Sequence, residues 1–284
     1  MKTVLETLQA GTAYLEKRQV PEARLNMQLL LAHQLGCSKL DLYQQFDRPL
    51  GEEELSPLRE LLKRRGLREP LQHILGEVEF AGNSFKCDSR ALIPRPETEE
   101  LVTALIDSPP DLSKGDRVID VGTGSGVIGL SLANAWRDRG LEIILVDAQD
   151  SALSLARENA EQLGLKEAVS IKKSHLLDDA PGPYQLIVAN LPYIESDEIG
   201  QLSVEVQKDP RSALDGGADG LDLVRELIAS AANELAPGGH LALEIGHNQA
   251  DATVALFEHG PFQDIQRTVD LSGRERFVSA NRTL

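Results

Sequence analysis

The sequence predicts an α/β protein in which a mostly parallel sheet follows a small helical domain. Two observations indicate this fold class. From residue 117 onwards, short apolar runs of strand length alternate with longer amphipathic stretches, the pattern of strand–helix–strand units. In residues 1–76, by contrast, apolar residues recur at helical spacing. We therefore expect a helical domain over residues 1–76, a β-hairpin linker over residues 77–92 and a sheet domain over residues 93–284.

The helical domain is predicted from apolar spacing and from helix-end signals. Leu25 and Leu29 recur at helical spacing after Pro21, a residue that fits a first helical turn. Gly36 then ends this helix. A second helix is expected over residues 55–67, with a basic run in its last turn. We interpret this domain as a module for packing or for partner recognition.

The remaining elements are expected in the following order. A turn at Gly82 and Asn83, between alternating residues, indicates a β-hairpin over residues 77–87. Prolines 94 and 96 then fix the backbone before a helix over residues 99–106. Sheet strands are predicted at residues 118–121, 143–147, 169–172, 186–189 and 240–245, and near 265–271 and 275–280. Helices are predicted at residues 126–136, 151–163 and 221–235, and a turn at residues 237–239.

Length, charge and composition exclude several classes of protein. The chain has 284 residues, a net charge of -16 and no apolar run long enough to span a bilayer. The acidic balance disfavours a grip on long stretches of nucleic acid, because the protein's own field opposes phosphate binding. The first residues lack a signal-peptide core, and Cys37 and Cys87 show no metal-ligand spacing. These features indicate a reduced, cytoplasmic protein.

The most informative stretch consists of Asn190, Leu191, Pro192 and Tyr193, which follow the apolar run at residues 186–189. The Asn190 side-chain oxygen can accept one hydrogen of a planar NH2 group. The carbonyl of Leu191, held extended by the next proline, can accept the other. The Tyr193 ring offers a face for stacking. A nitrogen methyltransferase acting on an amide or an exocyclic amine needs such a pocket, whereas the alternative is an ordinary strand followed by a proline-containing turn.

A glycine-rich turn follows the first predicted sheet strand. Its residues are Asp120, Gly122, Thr123, Gly124, Ser125 and Gly126. Glycines let the backbone approach a ligand closely, and the turn lacks the lysine of a nucleotide triphosphate loop. We expect Asp120 to face the positive amino and sulfonium end of S-adenosylmethionine. Asp147 ends the next strand, where a carboxylate can accept from both ribose hydroxyls. The alternative for Asp147 is an acid at a helix N-terminus.

With these motifs the chain resembles the peptide chain release factor glutamine methyltransferases, the HemK/PrmC group. The resemblance covers nearly the whole chain and lies in residues 70–76, 92–98, 120–126, 190–194, 213–221 and 243–246. It implies a Rossmann-like class I S-adenosylmethionine-dependent methyltransferase sheet. It also implies methyl transfer to the side-chain amide of the glutamine in the Gly-Gly-Gln loop of release factors. The helical domain would help to dock the factor.

The resemblance further implies the roles of single residues, without a metal. Cofactor contacts are expected from Asp120, Gly122, Thr123, Gly124, Ser125, Gly126, Asp147, His175, Leu176 and Asn190. The substrate amide is expected at the catalytic residues Asn190, Leu191, Pro192 and Tyr193.

Three positions depart from the family pattern. Leu191 replaces a proline but keeps the useful carbonyl. His175 stands where many members have an Asp that accepts from the adenine amino group, which a neutral imidazole does in only one tautomer. The alternative acceptor is Asp178 or Asp179. Asp209 replaces a Glu before Pro210.

Other functions stay open at this level. The sister group that acts on a ribosomal-protein glutamine usually carries Arg-Ser-Pro at positions 95–97, where this chain has Arg-Pro-Glu. Transfer to an adenine amino group is disfavoured by the acidic charge and by the lack of a separate base-recognition domain. A non-catalytic cofactor-binding protein is disfavoured by the intact Asn190 and Tyr193. We expect release factors as partners, with no membrane and no direct need for nucleic acid.

Overall fold

The computed structural model describes residues 2–284 and divides the chain into two compact units. The first unit comprises Met1–Gly76 together with Ser203–Lys208, and the second comprises Glu77–Leu202 and Asp209–Leu284. Across residues 2–284, no helix combines the length and the apolar character that crossing a bilayer requires.

The first unit is built from five helices around its own apolar core. They are α1 (Val4–Lys17), α2 (Ala23–Leu35), α3 (Lys39–Gln44), α4 (Glu52–Gly66) and α5 (Leu71–Leu75). A capping box between Thr3 and Glu6 starts α1, which satisfies backbone N–H groups that the helix leaves free. The start of α2 was predicted two residues too early, because Glu22 takes a left-handed φ of 48° and the helix begins only at Ala23. The core includes the fully buried Met27.

Basic residues at and after the end of α4 form hydrogen bonds within this unit. Arg65 is buried, and its guanidinium donates to Asn26 at 2.6 Å and to Glu205 at 3.1 Å. Arg68 adds two bonds to the same Glu205 carboxylate, at 2.5 and 2.6 Å. These arginines hold the pKa of Glu205 down at about 2 against its partial burial. The segment Ser203–Lys208 is thereby tied to the helices.

The second unit contains a hairpin, a sheet and the helices that cover it. Its elements are β1 (Glu77–Phe80), β2 (Asn83–Lys86), α6 (Pro96–Asp107), β3 (Arg117–Val121), α7 (Val127–Ala135), β4 (Glu142–Asp147), α8 (Asp150–Gln162), β5 (Val169–Lys173), β6 (Tyr184–Asn190), α9 (Asp222–Glu234), β7 (Leu235–Glu244), α10 (Ala250–Glu258), β8 (Phe262–Val269) and β9 (Glu275–Arg282). Short 3-10 helices of this unit lie at Arg137–Arg139, Ile199–Gln201 and Arg211–Ala213, and a further one, Val206–Lys208, belongs to the first unit.

The seven-stranded sheet has the order β5-β4-β3-β6-β7-β9-β8. All pairs from β5 to β7 are parallel, whereas β9 runs antiparallel to both β7 and β8. The predicted α/β class is confirmed. The strand order reverses between β3 and β6, and open α/β sheets bind ligands outside the carboxyl ends of strands at such a point.

The central strands of the sheet are buried on both faces, which explains their nearly continuous apolar runs. Ile119, Ile144 and Ile187 belong to the core under α9 and α10. Their chain neighbours Val118 and Leu145 belong to the core under α6 and α7. Successive side chains of a strand point to opposite faces, so a strand covered on both sides needs apolar residues at every position.

Two predicted turns differ in the structure. The hairpin turn consists of Ala81 and Gly82, with φ of 47° and 72°, and Asn83 already begins β2. The turn expected at residues 237–239 lies within β7, where the register against β6 passes from Leu235 opposite Tyr184 to His240 opposite Leu186 and leaves residues 236–239 without a partner in β6.

Candidate active site

A cavity that is partly open to solvent lies at the carboxyl ends of β3, β4, β5 and β6. The structure brings ten of the predicted site residues together in its lining: Gly122, Thr123, Gly124, Ser125, Asp147, His175, Leu176, Asn190, Leu191 and Pro192. These residues come from four strand ends that are far apart in sequence. Asp120, Gly126 and Tyr193 lie outside this lining.

The glycine loop borders both the cavity and the residues after β6. Gly122 has a φ of 72°, and a Cβ there would lie 2.9 Å from Leu191 Cδ2. Gly124 has a φ of 56°, and a Cβ there would meet only Ala91, at 3.8 Å. Glycine therefore allows the close approach at position 122 and leaves open space for a ligand at position 124.

Asp120, for which a direct cofactor contact is expected, lies beneath the glycine loop and outside the cavity lining. Its side chain is buried, and Oδ2 accepts from Thr123 Oγ1 at 2.5 Å and from Gly129 N at 2.8 Å. Burial raises the pKa of Asp120 to about 6. Asp120 thus ties the glycine loop to α7 from beneath. Gly126 also acts from outside the cavity, because its φ of 88° starts α7 and a Cβ would lie 2.8 Å from Leu130.

Asp147 lies in the cavity wall at the end of β4. Its Oδ2 accepts from Gly124 N at 2.9 Å, and Oδ1 accepts from Gln149 N at 2.8 Å. Burial raises the pKa of this carboxyl above its usual range, and the backbone donors oppose that rise. Each carboxylate oxygen keeps a further lone pair, so Asp147 can hold the loop and still accept from hydroxyl groups.

His175 lies in the lining after β5 and pairs with Glu226 of α9. His175 Nε2 lies 2.9 Å from Glu226 Oε1. Because an ionised carboxylate only accepts hydrogen bonds, this pair places the ring hydrogen on Nε2 and leaves Nδ1 of the neutral ring as an acceptor. This is the tautomer that a contact with an amino group requires.

Asn190 is oriented by the buried Thr98, which in turn bonds to the buried Glu244. Its Nδ2 donates to Thr98 Oγ1 at 2.9 Å, and the Thr98 hydroxyl bonds to Glu244 Oε2 at 2.6 Å. Glu244 is the register partner of Asn190 on the adjacent strand β7. The Asn190 Oδ1 is left as the free end of the carboxamide. Sequence reasoning assigned no role to Thr98 or Glu244, although an acid at the end of an apolar strand was a usable signal.

A side-chain hydrogen bond and two closely packed glycines hold the backbone that follows Asn190. Gln249 Nε2 donates to the Tyr193 carbonyl at 2.9 Å. A Cβ at Gly216 would lie 2.7 Å from the Pro192 carbonyl oxygen, and one at Gly220 would lie 2.3 Å from that of Tyr193. The glycines of residues 213–221 therefore permit this close packing, and no sequence argument had singled out Gln249.

The Tyr193 ring lies beside Arg276, whose Cζ is 6.0 Å from the ring centroid. Burial, together with the Glu244 charge, raises the pKa of Tyr193 to about 12. The hydroxyl is therefore neutral at physiological pH. Stacking of a planar substrate group on this ring stays a prediction.

The segment before α6 forms part of the cavity wall and is bonded to Asp209. Arg95 Nη2 donates to the buried Asp209 at 2.5 Å, and Ile93 N donates to the same carboxyl at 3.3 Å. Burial raises the pKa of Asp209 to about 6, although Arg95 opposes the rise. Further lining residues on this side are Arg90, Ala91, Leu92, Pro94, Arg95, Thr98, Pro210, Ser212 and Ala213.

These features fit S-adenosylmethionine. The loop leaves room at Gly124 where a side chain would fill the space, Asp147 presents a carboxylate at the end of the second sheet strand, and His175 offers an acceptor nitrogen. Together they supply close backbone approach, a hydroxyl acceptor and an amino-group acceptor.

Comparison with known proteins agrees with this assignment. The family model "PrmC N-terminal domain" matches residues 6–76, and "Methyltransferase small domain" matches residues 98–265. The release factor glutamine methyltransferase of Deinococcus radiodurans is 39% identical over 98% of this chain and 98% of its own length. That of Geobacter sulfurreducens is 37% identical, over 97% and 95%.

Solved structures support the fold alone. The hMettl16 catalytic domain superimposes with a TM-score of 0.56 at 18% identity, covering 78% of this chain and 81% of its own. A methyltransferase from Pyrococcus furiosus superimposes with a TM-score of 0.51 at 15% identity, covering 70% and 89%. The Rossmann-like methyltransferase sheet predicted from the sequence is confirmed. From its full-length relatives, the chain belongs to the release factor glutamine methyltransferase family.

Proposed function

We propose that the protein transfers a methyl group from S-adenosylmethionine to the side-chain amide nitrogen of the glutamine in the Gly-Gly-Gln loop of a peptide chain release factor. The observation that carries this proposal is the fixed carboxamide of Asn190. Its Nδ2 is engaged by Thr98 at 2.9 Å, so its Oδ1 is available as an acceptor at the cavity wall. A glutamine side-chain NH2 group is a matching donor.

The task of the site is alignment. Bound S-adenosylmethionine supplies an electrophilic methyl group. An amide nitrogen is a weak nucleophile because its lone pair is delocalised into the carbonyl. Asn190 Oδ1 and the Leu191 carbonyl would accept the two hydrogens, which aims the nitrogen and increases its electron density. We assign no general base, because the methylated cation is a strong acid that releases its proton to water.

The cofactor would be held by the residues after β3, β4 and β5. Gly122 and Gly124 would let the loop backbone reach it, and Asp147 would accept from the ribose hydroxyls. His175 would accept from the adenine amino group through Nδ1. Asp120 and Gly126 would contribute indirectly, through the shape of the loop.

The helical unit would dock the release factor, and no nucleic acid would be needed. In support, the match to the PrmC N-terminal domain coincides with this unit, and Leu40 and Leu67 expose 69% and 64% of their surface there. Large exposed leucines suit contact with a protein. A net charge of -16 opposes extended binding to phosphates.

The test is transfer of labelled methyl groups to purified release factors, with the Gly-Gly-Gln glutamine intact or replaced by alanine. Label on the intact factor alone, unchanged after nuclease treatment, is the expected result. Label on both forms would contradict the target residue. No label on either form, with cofactor binding retained, would contradict the proposed substrate and direct the assay to ribosomal-protein glutamine or nucleic acid.

A further inference from the structure

A hydrogen-bonded chain of three side chains runs from the buried Glu244 through the buried Thr98 to Asn190 in the cavity wall. We propose that Glu244, acting through Thr98, is a positioning residue that fixes which end of the Asn190 carboxamide faces the substrate. This inference rests on the proposed function, because it concerns how the substrate amide is held.

The three residues come from three different elements of one unit. Asn190 ends β6, Glu244 is its register partner at the end of β7, and Thr98 lies in the first turn of α6. Thr98 and Glu244 expose only 3% and 1% of their surface. Water therefore does not compete for their hydrogen bonds, and such buried bonds define a side-chain orientation firmly.

The ionised carboxylate of Glu244 determines which group donates and which accepts in each of the two hydrogen bonds. An ionised Glu244 only accepts, so the Thr98 hydroxyl must donate to Oε2 across the 2.6 Å contact. The Thr98 oxygen is then left as an acceptor, and the 2.9 Å contact with Asn190 must be made by the Nδ2 donor. Asn190 Oδ1 is consequently the end available to a substrate NH2 group.

Protonation of Glu244 would remove this constraint. A neutral carboxyl can donate to Thr98, whose hydroxyl hydrogen is then free to bond the Asn190 oxygen instead. The carboxamide would turn over and present its own NH2 group to the substrate NH2 group, two donors that repel. The catalytic arrangement therefore requires the ionised form.

The surroundings place this protonation change within the physiological range. Burial raises the pKa of Glu244 to about 7. The nearby charged and titratable groups oppose one another: Glu97 of α6 raises this pKa, whereas Arg276 of β9 and the Tyr193 side chain lower it. We expect turnover to fall as the pH drops below about 7.

The arrangement is unfavourable for stability alone, which supports a role in function. Glu244 Oε1 is buried and has no hydrogen-bond partner at close distance among residues 2–284, and only the nearby Tyr193 hydroxyl offers a weaker contact that favours the charge. A buried carboxylate with an unsatisfied oxygen destabilises a fold by comparison with an apolar residue. Fixing the neighbouring carboxamide gives such a residue a purpose.

The test compares Thr98→Val, Thr98→Ser and Glu244→Gln in the full-length protein, with Thr253→Val as control. Thr253 is a fully buried threonine in α10 whose hydroxyl has no partner among residues 2–284. Turnover at saturating substrates, KM for a release factor, S-adenosylmethionine affinity and the pH dependence from 6 to 9 are measured.

We expect Thr98→Val to lower kcat about tenfold or more through loss of the orienting hydrogen bond, with cofactor affinity unchanged. Thr98→Ser keeps the hydroxyl and should restore most of kcat. Glu244→Gln should lower kcat and abolish its decline toward acid pH, because glutamine does not titrate. Thr253→Val should behave as wild type.

A readout without turnover separates this proposal from the proposed function. In NMR spectra of the protein, the Asn190 side-chain NH2 should be protected from solvent exchange in the wild type and in Thr98→Ser, but not in Thr98→Val. Even if the wild type methylates no release factor, protection of this NH2 group still shows whether Asn190 Nδ2 faces Thr98. Equal protection in all three proteins, or wild-type kcat and an unchanged acid limb in Glu244→Gln, would overturn the proposal.

Discussion

Asn190 is the residue on which turnover should depend most directly. Asn190→Ala removes the Oδ1 acceptor and leaves the glycine loop and Asp147 in place. Because this acceptor aligns the nitrogen in the transition state, we expect kcat to fall about 100-fold or more, while the Kd for S-adenosylmethionine changes little. Single-turnover kinetics and calorimetric titration measure the two quantities separately.

The matched control is Asn134→Ala. Asn134 belongs to α7, and its side chain bonds Asn83 at 2.9 Å, outside the cavity lining. This variant should retain turnover. If Asn190→Ala kept wild-type kcat, or lost cofactor affinity as severely as turnover, the role assigned to the Asn190 carboxamide would be wrong.

The second test at the residue scale concerns His175 and its expected contact with the adenine of the cofactor. The 2.9 Å pair with Glu226 leaves Nδ1 as the acceptor, so His175→Leu should remove one hydrogen bond. A net loss of about 1 kcal/mol corresponds to roughly a fivefold weaker cofactor affinity. His175→Asp restores a side chain that accepts hydrogen bonds and should recover that affinity. Equal Kd values for His175→Leu and wild type would exclude the contact.

The contact between α7 and the sheet is the test at the scale of an element. A Cβ at Gly129 would lie 2.6 Å from Leu145 Cγ and 3.1 Å from Asp120 Cβ, both in the buried interior. Gly129→Ala should therefore push α7 away from β3 and β4 and lower the free energy of unfolding by about 1–3 kcal/mol. Cofactor affinity should fall as well, because Gly129 N holds Asp120 and Asp120 holds Thr123.

Urea unfolding measures the free energy of unfolding of Gly129→Ala and of the wild type. Gly200→Ala is the control, since a Cβ at Gly200 meets no atom within 4 Å and its φ is not left-handed. That control should leave stability within about 0.5 kcal/mol of the wild type. Equal stability of Gly129→Ala and wild type would contradict the tight packing of α7.

Elements and strand ends could be predicted because their signals are local. The spacing of apolar residues and the turn residues predicted the strands. Because parallel strands end at one edge of a sheet, this was enough to predict that Asp147 and Asn190 lie at the same cavity. Features that depend on distant partners could not be predicted. The inclusion of residues 237–239 in β7 depends on its pairing with β6, and the burial of Asp120 depends on the packing of α7.

The same reasoning explains why the orienting chain behind Asn190 was missed. Thr98 and Glu244 are 146 residues apart in sequence, and their hydrogen bond exists only once α6 has packed over β7. Each residue stood in a segment already singled out by resemblance, yet composition and spacing hold no information about their contact. Long-range polar contacts of buried groups are therefore where sequence reasoning ends and coordinates are required.

At the scale of the whole molecule, the division into two units predicts that a short peptide and a full-length release factor are recognised differently. A short peptide containing Gly-Gly-Gln should use only the cavity, whereas a full-length release factor should also use the helical unit. Binding energy from such a remote contact can lower KM without touching the reacting atoms.

The exposed leucines of the helical unit allow this to be measured. Leu40→Ser and Leu67→Ser should each raise KM for the full-length factor about three- to tenfold, since partial burial of a leucine contributes on the order of 1 kcal/mol. Neither change should affect kcat/KM for the peptide. Leu271→Ser, which removes a leucine that is 92% exposed in the second unit, is the control. If both leucine variants treated the two substrates alike, the helical unit would not be the docking surface, and recognition would have to come from the methyltransferase unit itself.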